Sequence, residues 1–184
     1  MNNNILKLTA IATVALLASI LVGQNQAAYA AWSNPPSFGG RPLVYHDGLT
    51  INGKTFDIGG YAQTIPTQNL SIGKSSQITL KIFDNSGPTT IKGAALFINI
   101  RGDNSTISRS DTWIQYDQRG VYVHDPHNFI GKVTGSFTNT YPFKYVTFNI
   151  TPKSQLNTSS MGILAWDERY SVSRTMVIDA LSFS

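Results

Sequence analysis

The chain has 184 residues, a net charge of +4 and no cysteine. The missing thiols exclude disulfide staples, a cysteine nucleophile, thiolate zinc sites and cysteine-ligated blue copper. Charged residues are only 13% of the chain and the cations are scattered, so no phosphate-binding stripe and no nucleic-acid partner are expected.

In chain order, Met1 to Ala30 reads as an export signal. Lys7 supplies the positive start, Leu8 to Gly23 is an uncharged and mostly apolar run of 16 residues, and Ala28-Tyr29-Ala30 offers small residues for cleavage. A bilayer span needs about 20 apolar residues, so removal of the leader is expected rather than a stable anchor. The remaining 154 residues then lie outside the cytoplasmic membrane, secreted or at an extracellular or pseudo-periplasmic surface. A domain of that size buries about 70% of its unfolded surface, enough to stand without cross-links. Residues 31–42 carry Asn34-Pro35-Pro36-Ser37 and Gly39-Gly40 and read as a flexible arm or linker. Residues 43–184 read as a single domain.

From there the apolar pattern has period two. Leu49-Thr50-Ile51 and Lys54 to Ile58 flank Asn52-Gly53, a strong hairpin signal because both turn residues accept positive φ. Gln77 to Phe83 puts Ile78, Leu80 and Ile82 on one face, and Asp84 to Pro88 breaks the chain. Ala94, Leu96, Ile98 and Ile100 alternate next, followed by a turn at Gly102-Asp103-Asn104. Thr112 to Asp117, Val121 to His124, Tyr145 to Thr151, Met161 to Trp166 and Thr175 to Phe183 complete the series. Eight or nine such strands, with no convincing helix after Ala30, indicate an all-β antiparallel sandwich, immunoglobulin-like or jelly-roll-like.

Leu70-x-x-Gly73, Ile78-x-Leu80-x-Ile82 and Asn85-x-Gly87 resemble the opening hairpin of extracellular immunoglobulin-like modules. A second resemblance covers most of the mature chain. It rests on Asp47 to Gly53, Asp111-Thr112-Trp113-Ile114-x-Tyr116-Asp117, His124-Asp125-Pro126-His127 and Ala165-Trp166-Asp167. These segments are similar to secreted β-domain proteins of ammonia-oxidising archaea, where such a domain often precedes a cupredoxin domain. The resemblance implies location and fold, with no activity attached. Because the chain ends at Ser184, no cupredoxin domain or C-terminal anchor is expected here.

Five sets of side chains have chemical potential. His46, His124 and His127, with Asp47 and Asp125 behind the imidazoles, would make a Cu(II) or Zn(II) site if their loops meet. The alternative is surface histidines, with Asp125-Pro126 punctuating a turn. Asp103, Asn104, Asp111 and Asp117 offer oxygen ligands for calcium without the usual calcium-loop spacing. Glu168, the single glutamate, would need Asp117 or Asp111 opposite it to hydrolyse a glycoside. Trp113 shares a strand face with Gln115 and Asp117 and, with Tyr122, would offer a stacking surface for a glycan, whereas Trp166 reads as core. Asn69, Asn104, Asn149 and Asn157 head glycosylation sequons, with Asn104 and Asn157 expected in turns.

The sequence therefore reads as a non-enzymatic surface module for binding or assembly in the envelope. Its partners would be envelope or surface proteins, cupredoxin-type copper proteins among them, or further copies of itself. The alternatives are a copper- or zinc-binding accessory protein, and a filament or pilus-type subunit whose N-terminal arm completes a neighbour's sheet by donor-strand exchange.

Overall fold

The computed structural model describes residues 34–41, 44–100, 107 and 110–184. The expected leader and the expected turn at Asp103 and Asn104 lie outside these residues. Alternation in the sequence becomes strands because each outward polar residue leaves its apolar neighbours on the opposite face of the pleat. One group comprises β1 (Ser37–Phe38), β2 (Leu49–Ile51), β3 (Lys54–Phe56), β6 (Ser76–Phe83), β10 (Ile130–Thr140) and β11 (Phe143–Pro152). These form sheet A in the order β10-β11-β6-β2-β3, with β1 also on β6. The other group comprises β4 (Ala62–Thr64), β5 (Gln68–Leu70), β7 (Ile91–Ile100), β8 (Thr112–Asp117), β9 (Gly120–His124), β12 (Leu156–Asp167) and β13 (Val172–Phe183). Sheet B runs β4-β13-β12-β7-β8-β9, with β5 also on β13.

The two sheets form an open sandwich, antiparallel apart from the short pairings of β4 and β5 with β13. Their inner faces share one core. Leu49, Ile78, Leu80 and Phe148 of sheet A, and Leu96, Ile114, Ile163 and Val177 of sheet B, are all 0% exposed. Each such side chain contributes roughly 2 kcal/mol by leaving water. The hairpin at Asn52-Gly53 forms as expected, with φ of 48° and 82° at the two turn residues.

Four expectations change on contact with the structure. The segment at Gly73 is a crossover and not a hairpin, because β5 pairs with β13 in sheet B while β6 lies in sheet A. Strands β1, β4 and β10 escape the apolar pattern; β10 is an edge strand whose inward row, Val133, Gly135 and Phe137, is interrupted by a glycine, so its alternation is weakly apolar. The supposed arm is docked where it is described: Ser37 and Phe38 pair with Phe83 and Ile82, and Phe38 is 4% exposed. Asn157 lies in β12 rather than in a turn, with its side chain exposed.

Candidate functional site

The outer faces of the two sheets differ in chemistry. On sheet A, Thr55, Thr50, Thr79, Thr147 and Ser136 stand in register across five strands. Thr79 and Thr147 share a hydrogen bond of 3.0 Å. Beside them, Gln77 faces Asn149, and Asn149 faces Thr134. This part of the face is a hydroxyl and amide surface, while at its other end Lys81 faces Tyr145 and lies 4.5 Å from the centre of the Phe143 ring.

Sheet B carries the opposite composition. With Ala94, Leu96, Ile114, Ile163 and Ala165 in the core, alternation turns their strand neighbours outward. One row across the sheet reads Val172, Trp166, Gly93, Asp117, Gly120; the next reads Arg174, Leu164, Ala95, Gln115, Tyr122; the third reads Met176, Gly162, Phe97, Trp113, His124. Trp166 is thus half-buried on the outer face, which corrects its assignment to the core. Both faces of β12 are apolar in sequence, and the packing of Ile163 and Ala165 decides between them. Trp113 shares this face with Tyr122, but its ring stacks on the cross-strand His124, with centroids 5.7 Å apart and planes 22° apart.

At the Trp166 end the face opens into a cleft of about 360 Å³. A side chain at position 93 would collide with the indole: an added Cβ on Gly93 would meet three of its ring atoms at 2.2, 2.7 and 2.7 Å. The glycine therefore lets Trp166 lie against backbone as a floor. The rim comes from two turns. From the β8–β9 turn, Arg119 binds Asp117 through its guanidinium at 2.9 Å and its backbone N–H at 2.8 Å, and its guanidinium sits 5.8 Å over the Tyr122 ring. Hydrogen bonding from Arg119 holds the Asp117 carboxyl below its ordinary value, against the opposing effect of burial. From the β12–β13 turn, Glu168 lies 3.5 Å from Lys92, and Tyr170 stands 84% exposed at the lip. The Asp167 carboxylate shapes that turn by accepting the Arg169 and Ser171 N–H groups, each at 2.8 Å. Asp117 and Glu168 thus line one cleft, as the glycosidase alternative needed, while Asp111 sits at the other end of β8.

The histidines find separate partners. His46 pairs with Asp57 at 3.6 Å, His124 stacks on Trp113, and His127 bonds Asp111. Asp125 accepts the Ile130 N–H at 2.7 Å, which fixes its loop. Asp47 meets Asp57 through its backbone N–H at 2.7 Å. Among the described residues no three His, Asp or Glu side chains group as a metal ion would require. Hydrogen bonds from Asn99, first, and from His127 keep the Asp111 carboxyl below its ordinary value. Of the glycosylation candidates, Asn69 is exposed but its amide donates to Ser184 Oγ at 2.6 Å, and Asn149 is half-buried on β11.

The sequence signal that reaches the cleft is Trp166 with Gly93; their pairing across strands is a register fact that spacing alone does not give.

No protein-family model and no curated protein matches the chain. Among solved structures, a VGSC beta subunit studied for multimeric cell-adhesive interactions is similar over 68% of this chain and 93% of its own, with 12% identity and a TM-score of 0.39. Murine CRIg is similar over 73% of this chain and 95% of its own, with 11% identity and a TM-score of 0.30. Likenesses of this size carry no chemistry to this chain.

Proposed function

We propose that the protein is a non-catalytic extracellular binding module of the cell envelope, and that the outer face of sheet B is its working surface. The observation that carries this reading is the contrast between faces. Sheet A turns mainly hydroxyls and amides to water, with Tyr145 and Phe143 beside Lys81 at one end, while sheet B gathers the larger apolar set of Trp166, Leu164, Phe97, Trp113 and Tyr122 on its outer face. Aromatic and apolar groups gathered on one face are what a binding surface requires. The leader-like N-terminus and the resemblance to secreted archaeal β-domain proteins support a place at the cell surface beside copper proteins.

The polar residues favour holding over turnover. Asp117 is kept ionised by Arg119, and Glu168 is an exposed partner of Lys92 on a turn. A glycosidase acid needs a carboxyl kept protonated by an apolar pocket.

Binding of the purified mature protein to envelope preparations from its own organism tests this reading. Tyr122→Lys on sheet B is expected to abolish retention, and Thr79→Lys on sheet A to leave it intact. Equal retention by both variants, or loss in both, would overturn the proposal.

A further inference from the structure

The cleft at the Trp166 end allows the ligand class to be named, on the premise that sheet B is the binding face. We infer that it takes a neutral pyranose unit of a glycan chain. Trp166 lies against the Gly93 backbone and lines the cleft. An indole held in this way presents a flat π surface with negative potential, which attracts the polarised C–H groups on one face of a sugar ring. Tyr170, 84% exposed at the lip, is placed to cover a second ring.

Charge argues against an anionic ligand. Both cations on the rim face carboxylates, Arg119 with Asp117 at 2.9 Å and Lys92 with Glu168 at 3.5 Å, and a third carboxylate, Asp167, accepts the Arg169 and Ser171 N–H groups at 2.8 Å. A phosphate would meet three carboxylates and find both cations already paired. Paired ions still offer both acceptor oxygens and donor N–H groups at fixed spacing, which suits vicinal hydroxyls that donate and accept at once. The volume of about 360 Å³ lies at the small end of ligand clefts and suits one or two sugar rings rather than a folded partner. This differs from stacking at Trp113, whose ring is occupied by His124.

The test uses the whole mature protein and soluble hexamers of β-1,4-glucose, α-mannose and β-1,4-N-acetylglucosamine, read by calorimetry and by tryptophan fluorescence. Saturable binding of at least one hexamer is expected. Trp166→Ala should weaken it roughly tenfold or more. Glu168→Gln, an exposed change that leaves the fold alone, should weaken it several-fold, and Thr79→Ala on the opposite sheet should leave it unchanged. Absence of saturable binding to all three hexamers overturns the inference, as does binding that ignores both Trp166→Ala and Glu168→Gln. If envelope preparations are retained through sheet B but deglycosylation leaves retention intact, the ligand is a protein. The glycan assignment then falls while the binding-face reading stands.

Discussion

Gly93 illustrates how one residue decides a surface. The indole of Trp166 occupies the space a methyl group would need, at 2.2 Å from its nearest ring atom. Gly93→Ala should therefore displace the ring and cost about 1–3 kcal/mol, the usual range for overpacking. Urea unfolding measures the loss, and a shift in tryptophan emission reports the displaced ring. Unchanged stability and emission would mean that the indole does not rest on this glycine. Asp111 offers a second residue-level test. Its carboxyl is held below the ordinary value by Asn99 and His127, so its stabilising effect is complete above about pH 4, the unfolded value. That effect is lost as pH falls through the lowered folded value. The Asp111 and His127 side chains are both nearly half exposed, so solvent screening keeps the difference between the protein and Asp111→Asn below about 1 kcal/mol at pH 6. The difference should vanish near pH 2 in urea titrations.

At the scale of the element, the turn after β6 stores a cost. Asp84 is 3% exposed, and its Oδ2 is buried without a hydrogen bond. Burial raises its carboxyl above the ordinary value, and nearby Asp167 adds to this, against the hydrogen bond donated by the Ser86 N–H. A raised carboxyl leaves stability whole below the unfolded value near 4 and removes it as pH rises through the folded value. Asp84→Asn keeps the Oδ1 acceptor for the Ser86 N–H and replaces repulsion from Asp167 with attraction. It should stabilise by about 1 kcal/mol at pH 7 and by nothing near pH 3, measured by thermal unfolding at both. Elements also divide what was legible. β2, β3, β6, β7, β8, β11, β12 and β13 each set an apolar face against a core, so their alternation is written in the residues. β10 alternates as well, Val133, Gly135 and Phe137 against Lys132, Thr134, Ser136 and Thr138, but a glycine in the inward row blurs the apolar signal of this edge strand. Spacing could place Trp113 opposite Ile114, but it could not orient Trp166, because Leu164 and Ile163 are equally apolar. The cleft itself depends on Trp166 facing Gly93 and Gly93 facing Asp117, contacts that join residues far apart in the chain.

Across the whole molecule, two sheets without a disulfide between them are joined by more than their core. The segment before β2 straddles them: Phe38 pairs with Ile82 of sheet A, while Ser173 Oγ of sheet B donates to the Pro36 carbonyl. Phe38, 4% exposed, belongs to the same hydrophobic cluster as both sheets. This segment therefore acts as a latch on its own chain. Donor-strand assembly would have to begin by releasing it, since the edge of β6 beside Ile82 and Phe83 is already taken. Phe38→Ala should cost about 3–4 kcal/mol, a large share of the 5–15 kcal/mol that holds a typical domain. A variant lacking residues 1–41 should lose at least as much and expose that stretch of β6. A synthetic peptide of residues 34–41 should then bind the shortened protein saturably and raise its unfolding midpoint, while the intact protein ignores the same peptide. Should the shortened protein unfold at the same urea concentration as the intact one, the latch contributes nothing and β6 has no vacancy to offer a neighbour. If instead the peptide restores the midpoint, self-assembly is a matter of exchanging an occupied strand, and its rate is set by how often the latch opens.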